Sequence, residues 1–292
     1  MAIVLGPNRY GKAETRLLRV VRDTDRHTLR DLNVSSSLVG DFAAAHLVGD
    51  QANVLPTDTQ KNTVFAMART IGVGEVEDFG LALARHFVDD VGPVTGADVR
   101  IDEYAWERIA TSGQSPTRGH DHAFRKSGQE VRTTEVVVGP DGAHVVSGLK
   151  DLVVLKSTGS EFAGFLVDEL TTLPETHDRV LATALTARWT YADAAVLDGV
   201  DWAASYAGIR SVLLQRFAGV HSLALQQSLW EMGRGVLEAH PEVTSIELVA
   251  PNIHHIAADL SPFGLDNPGE VFHVTDRPYG LIEVTVQRDG RA

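Results

Sequence analysis

The chain has 292 residues, of which 43% are hydrophobic, with no cysteine and a formal net charge of −13. The absence of cysteine excludes disulfides, thiolate-bound zinc, iron–sulfur clusters and a cysteine nucleophile. The acidic balance argues against a nucleic-acid partner, which needs a clustered basic footprint, and the length fits about two domains.

The first apolar run covers only residues 2–5, too short for a signal peptide, and no stretch reaches the ~20 apolar residues of a membrane span. A cytoplasmic protein without a membrane partner is expected. Residues 14–21 interleave charged and apolar side chains and predict a strand. A polar turn at 23–26 leads to a partner strand over 27–39, making a hairpin. Residues 49–55 read as a short extended segment, and Pro56 opposes helix at the residue before it. Thr57, Asp58 and Thr59 are N-cap side chains for a helix over 58–69 that carries Val64, Phe65, Met67 and Ala68. Gly72 and Gly74 interrupt it. Val76, Phe79, Leu83 and Phe87 then recur at steps of three and four, which predicts a second amphipathic helix over 75–89. Strands are predicted over 94–109 and 131–138, a turn over 139–142, and further strands over 144–149 and 152–155.

The second half repeats this order. A strand over 187–192 precedes a helix over 201–218, marked by Trp202, Tyr206, Ile209, Leu213 and Phe217. Another helix follows through Leu223, Leu229, Met232, Val236 and Leu237 and stops before Pro241. Strands are predicted over 245–249, 254–260 and 281–287. Each half therefore reads as strands, two helices, strands, a duplication of architecture with a division at 1–139 and 140–292. Adjacent helices between hairpins indicate an α+β fold with antiparallel sheets and helices on one face. Neither a Gly-x-Gly-x-x-Gly turn nor a Walker loop occurs, so nicotinamide, flavin and ATP readings lose their main support. Open sheet edges must be covered, which favours an oligomer.

Several polar constellations could carry chemistry. In His120-Asp121-His122 the two histidines would share a face if the segment were a strand and could chelate a metal, but a polar loop is the simpler reading. His254 and His255 are adjacent on a predicted strand, so their rings point to opposite sides. Lys12 stands at a loop-to-strand boundary and by spacing alone is an ordinary surface lysine. The helix start at Thr57-Asp58 offers backbone donors to an anion. The segment Lys156-Ser157-Thr158-Gly159-Ser160 is polar but is not a phosphate loop. Spacing alone leaves the chemistry open.

Residues 152–179, LVVLKSTGSEFAGFLVDELTTLPETHDR, are more specific. Other blocks accompany them: Tyr10-Gly11-Lys12, Thr57-Asp58-Thr59-Gln60-Lys61-Asn62-Thr63, His221-Ser222-Leu223-Ala224-Leu225-Gln226-Gln227, Pro251-Asn252-x-His254-His255 and Gly280-Leu281-Ile282-Glu283. In this order, from about residue 4 to 288, the chain resembles the urate oxidase (uricase) family. The resemblance implies two tandem tunnelling-fold (T-fold) domains, each an antiparallel sheet with two helices on one face. It also implies a barrel-shaped homotetramer whose active sites lie at subunit interfaces. The implied reaction oxidises urate with O2 and water to 5-hydroxyisourate and hydrogen peroxide, using no metal and no organic cofactor.

Carried over by position, the resemblance implies that Phe162 stacks on the purine ring and Arg179 forks onto its oxygen and ring nitrogen. Gln226 matches the alternating C=O and N–H edge, and Leu225 adds a backbone N–H. Thr57 and Asp58 reach the opposite edge from a neighbouring subunit. Lys12, Thr57 and His254 form a proton relay, and Asn252 holds O2 or water above the ring. The sequence departs from the family pattern at Ile253, where lysine is frequent, and at Leu170, where an aromatic residue is usual. Pro56 stiffens the entry to Thr57, and the peroxisomal Ser-x-Leu ending is absent, which favours a bacterial, cytoplasmic form. Competing readings are another T-fold enzyme acting on purines or pterins and a non-catalytic purine-binding homologue. The presence of Lys12, Thr57 and His254 argues against the latter.

Overall fold

The computed structural model describes residues 2–111, 119–192, 197 and 199–289. The chain divides into two compact units, Met1–Gly148 with Thr190–Ala203, and Leu149–Trp189 with Ala204–Ala292.

In the first unit, β1 (Tyr10–Val21), β2 (Thr28–Gly40), β3 (Val94–Arg108) and β4 (Phe124–Gly139) form consecutive antiparallel pairs. Alternation puts Leu32, Val34 and Leu38 of β2 and Val99 and Ile101 of β3 in the core. Two helices cover this sheet: α2 (Thr57–Thr70) packs on β1, and α3 (Val76–Asp90) packs on β3 and β4. Val76, Phe79, Leu83 and Phe87, read above as one helical stripe, are all buried. A short helix, α1 (Ala43–Val48), precedes them.

One set of charged groups in this layer is linked across strands and helix. Arg132 of β4 pairs with Glu75 and Glu77 at 2.7 Å each, while Arg30 of β2 joins Glu75 and Glu103. Ser147 donates to Glu77 at 2.6 Å. Burial pushes the Glu77 carboxyl up, against the opposing pull of Arg132 and Ser147. The two arginines fix the start of α3 on the sheet at a site where an unpaired carboxylate would be strongly destabilising.

The second unit repeats the plan with β5 (Gly142–Lys156), whose last residues belong to it, β6 (Leu181–Tyr191), β7 (Val243–Ala257), β8 (Phe272–Thr275) and β9 (Leu281–Gln287). The strand order is β5-β6-β7-β8, and β9 also pairs with β7. Residues 245–251 of β7 face β9, and residues 254–257 face β8. The helices are α4 (Trp202–Gly219) and α5 (Leu225–Ala239). Leu229, Met232 and Val236 of α5 are buried with Ile246 and Leu248 of β7 and Val286 of β9, and α5 packs on both strands. No helix among the described residues is long and apolar enough to cross a membrane.

The structure corrects several sequence expectations. Strand β1 begins at Tyr10, β4 at Phe124 and β6 at Leu181, each earlier than predicted. The segments predicted as separate strands over 144–149 and 152–155 are one strand, β5, with Asp151 at φ 60° marking the irregularity between them. Likewise 245–249 and the start of 254–260 are one strand, β7. Residues 49–55 form no strand. Thr57 is not an N-cap side chain: Pro56 occupies that position with no side-chain cap bond, and Thr57 is already helical. Helix α1 and strand β8 were not predicted, being six and four residues long.

Candidate active site

The predicted site residues fall in both units. Lys12, Thr57 and Asp58 belong to the first; Phe162, Arg179, Leu225, Gln226, Asn252 and His254 belong to the second.

In the first unit Lys12 pairs with Ser36 across the β1–β2 ladder, immediately before a bulge at 12–15. The bulge holds Glu14 at φ 56°, and its N–H donates to Ser35 Oγ at 2.9 Å. A bulge re-aims a neighbouring side chain, here that of half-buried Lys12. On the other side of Lys12, Gly11 lies so close to β2 that a Cβ would stand 1.8 Å from the Ser36 carbonyl oxygen. Ser36 also fixes the helix. Its hydroxyl donates at 2.8 Å to the side-chain carbonyl of Gln60, which is fully buried in the first turn of α2. Gln60 in turn donates to the Leu55 carbonyl at 3.4 Å, and the Tyr10 hydroxyl donates to the same carbonyl at 3.1 Å. The lysine strand and the helix start are thereby one assembly. Thr57 and Asp58 are exposed at that helix start. Lys61 binds Asp58, and Asn62 donates to it at 3.1 Å. Lys61 chiefly, with Asn62 and the charge of Lys12 adding, holds the Asp58 carboxyl below the usual range. No hydrogen bond joins Lys12 to Thr57 among the described residues.

In the second unit three segments converge. The loop after β5 returns on itself where Phe162 and Thr176 exchange backbone bonds at 2.8 and 2.9 Å. The Arg179 N–H donates to the Ser160 carbonyl at 2.9 Å. This brings the Arg179 guanidinium over the Phe162 ring at 5.2 Å, within cation–π range. Phe165 stacks on Phe162 with centroids 4.9 Å apart. Half-burial holds the Arg179 guanidinium below its ordinary value by desolvation, and it remains a cation. Ser222 joins this loop to the start of α5: its N–H donates to Gly159, and the Glu161 N–H donates to its carbonyl at 2.7 Å. The first intrahelical bond of α5 runs from Ser228 to Ala224, so the N–H groups of Leu225, Gln226 and Gln227 precede it. Leu225 is buried and the Gln226 side chain is exposed.

Asn252 and His254 alternate on β7 and share a face. The Asn252 amide nitrogen lies 3.4 Å from Nδ1 of His254. This contact links the two side chains on that face of the strand. His254 and His255 are both half-buried, pairing with Thr275 and Val274 of β8. His120-Asp121-His122 forms a bend, not a strand. Its histidine rings meet edge to face at 4.4 Å, and among the described residues no group of three ligating side chains is placed to hold a metal. The departures at Ile253 and Leu170 fall on β7 and on an exposed loop position respectively.

Four supporting residues escape the spacing argument. Gln60 and Lys156 stand inside the quoted motifs, so the motif itself was the available signal. Lys156 donates to the Val220 carbonyl after α4, and desolvation holds its ammonium below the usual lysine range. Asp178 accepts from Thr158 Oγ1 at 2.9 Å and from the Gly159 N–H, pinning the loop from its far side. Ser36, an unremarkable strand residue, had no signal at all.

Two halves of strands, paired helices and strands, each contributing a helix start with free backbone donors, define the duplicated α+β tunnelling fold. The chain belongs to the uricase family: the family model for uricase matches residues 8–137 and 145–283. It is 51% identical over 288 residues to a uricase of Arthrobacter globiformis, covering 99% of this chain and 91% of that one. A zebrafish (Danio rerio) uricase is 36% identical, with 97% and 94% covered. The crystal structure of the Arthrobacter globiformis uricase superposes with a TM-score of 0.93 over 100% of this chain and 97% of that chain.

Proposed function

We propose that the chain oxidises urate with O2 and water to 5-hydroxyisourate and hydrogen peroxide, with no metal or organic cofactor. The observation that carries this reading is the Phe162–Arg179 pair, an aromatic face beside a half-buried guanidinium, at the rim of a helix start with unused N–H donors. A flat, anionic heterocycle needs those two contacts, apolar stacking and a bidentate cation. Gln226 and the Leu225 N–H then read the alternating donors and acceptors of its edge.

The electron balance needs no cofactor. Urate gives two electrons to O2, which takes two protons and becomes peroxide, while water supplies the hydroxyl group added to the ring. The protein's part is to bind the anion, orient it and move protons. Lys12, Thr57 and His254 form the relay, and Asn252 places O2 or water above the ring. His254 and Asn252 lie side by side on one face of β7, with the Asn252 amide nitrogen 3.4 Å from the His254 ring. Thr57 and Asp58, exposed at the start of α2, serve the site of a neighbouring subunit in a homotetramer. The two T-fold domains divide at 139/140, within the gap between the two matched segments. The protein acts in the cytoplasm.

The test is urate consumption by protein treated with chelator, followed as loss of near-ultraviolet urate absorbance together with peroxide formation. Equal turnover before and after chelation is expected. Activity that disappears with chelation and returns with a metal ion overturns the cofactor-free reading.

A further inference from the structure

The three segments of the ring-binding site meet at one carboxylate that the proposed chemistry does not use. Glu161 precedes Phe162, and its side chain is 24% exposed. One carboxylate oxygen accepts from Nε2 of His221 at 2.6 Å and the other accepts from Nδ1 of His177 at 3.1 Å. A carboxylate can only accept, so both imidazoles donate here. His177 lies two residues before Arg179, and His221 lies four before Leu225. The backbone already brings these segments together at Glu161–Ser222, Phe162–Thr176 and Arg179–Ser160. The side-chain triad adds a lateral tie that fixes the spacing between the Phe162 ring, the Arg179 fork and the start of α5.

We propose that Glu161 is a positioning residue for the substrate, clasping the Phe162, Arg179 and Leu225–Gln226 segments through His177 and His221. The proposal rests on the urate-oxidising reading of the site. It makes substrate affinity depend on the two imidazole–carboxylate bonds, and hydrogen bonds to an ionised carboxylate are the stronger ones. The other charged groups around the clasp are Asp178, which holds Thr158 and Gly159, Arg179, which faces Phe162, and Lys156, which binds the Val220 carbonyl. None of these touches Glu161 directly in the described bonds. The two histidines hold the Glu161 carboxyl below its usual range, His221 first.

The test compares wild type with Glu161→Gln, which keeps the shape and one acceptor but removes the charge. The KM for urate should rise roughly two- to tenfold, a range set by exposed charged hydrogen bonds, with kcat changed by less than about twofold. His177→Ala, at a side chain 76% exposed, should raise KM in the same direction and, combined with Glu161→Gln, add little. An unchanged KM, or a fall in kcat as large as the rise in KM, overturns the clasp. Equilibrium binding of urate without O2 separates the two layers of the argument. Wild type that binds no urate overturns the urate reading itself, whereas equal binding by wild type and Glu161→Gln at pH 6 overturns only the clasp.

Discussion

Lys12 shows how little a single residue means without its neighbours. By spacing it is one more lysine before a strand, yet it sits between a glycine whose Cβ would meet the Ser36 carbonyl and a bulge that turns the strand. Its charge reaches Asp58 at the start of α2. That placement suits a group that moves a proton, and general acid–base groups contribute about 10²–10⁴ in rate. Lys12→Met should therefore lower kcat for urate by about a hundredfold or more, with thermal stability close to wild type because the side chain is only half-buried. Steady-state kinetics at saturating urate beside a thermal melt read both quantities; full activity in the variant contradicts the relay. Arg179 and Phe162 were equally mute as isolated letters. Their pairing depends on the Phe162–Thr176 and Arg179–Ser160 backbone bonds, which join residues on opposite sides of a long loop and have no periodic signature. Only the motif resemblance made them legible.

At the scale of elements, helices α3, α4 and α5 were readable because each carries an apolar stripe at steps of three and four that is largely buried, whereas α2 was read from Thr57-Asp58-Thr59 and a few apolar residues, of which Val64 and Ala68 are buried and Phe65 is exposed. The strands were less so. The first half of β4, FRKSGQE, is largely exposed and alternates nothing, so only its buried end, from Val131, gave a pattern. Strand β8 is four residues held by pairing with β7, and no window that short distinguishes it from a loop. The N-cap error at Thr57 has a local cause: Pro56, at ψ 138°, already supplies the non-helical turn that a capping residue would make. The β1–β2 pair gives the sharpest test at this scale. Gly11→Ala must push a Cβ against the Ser36 carbonyl at 1.8 Å, which is backbone and cannot rotate away. The strands must part, and Ser36 with them, together with its bond to Gln60. A loss of about 2–4 kcal/mol in unfolding free energy is expected, measured by denaturant titration, with a larger loss of turnover than stability alone explains. A Gly11→Ala protein of wild-type stability contradicts the close approach.

For the molecule as a whole, the zero cysteines and the charge of −13 take on a definite sense. The proposed chemistry needs no thiol, and the cations that matter are few and local: Lys12 beside Ser36 and Arg179 over Phe162. Site residues divided between two compact units, with Thr57 and Asp58 exposed at a helix start, fit a site completed by a second copy of the chain. Light scattering should then give four times the 31.6 kDa chain mass, and dilution to monomer should abolish turnover; a fully active monomer contradicts the shared site.

The stoichiometry of the proposed reaction is the decisive measurement. An oxygen electrode, urate absorbance and a peroxide assay, run together on chelator-treated protein, should show one O2 consumed and one peroxide formed for each urate lost. Urate loss without matching O2 uptake, or no urate loss at all, contradicts it.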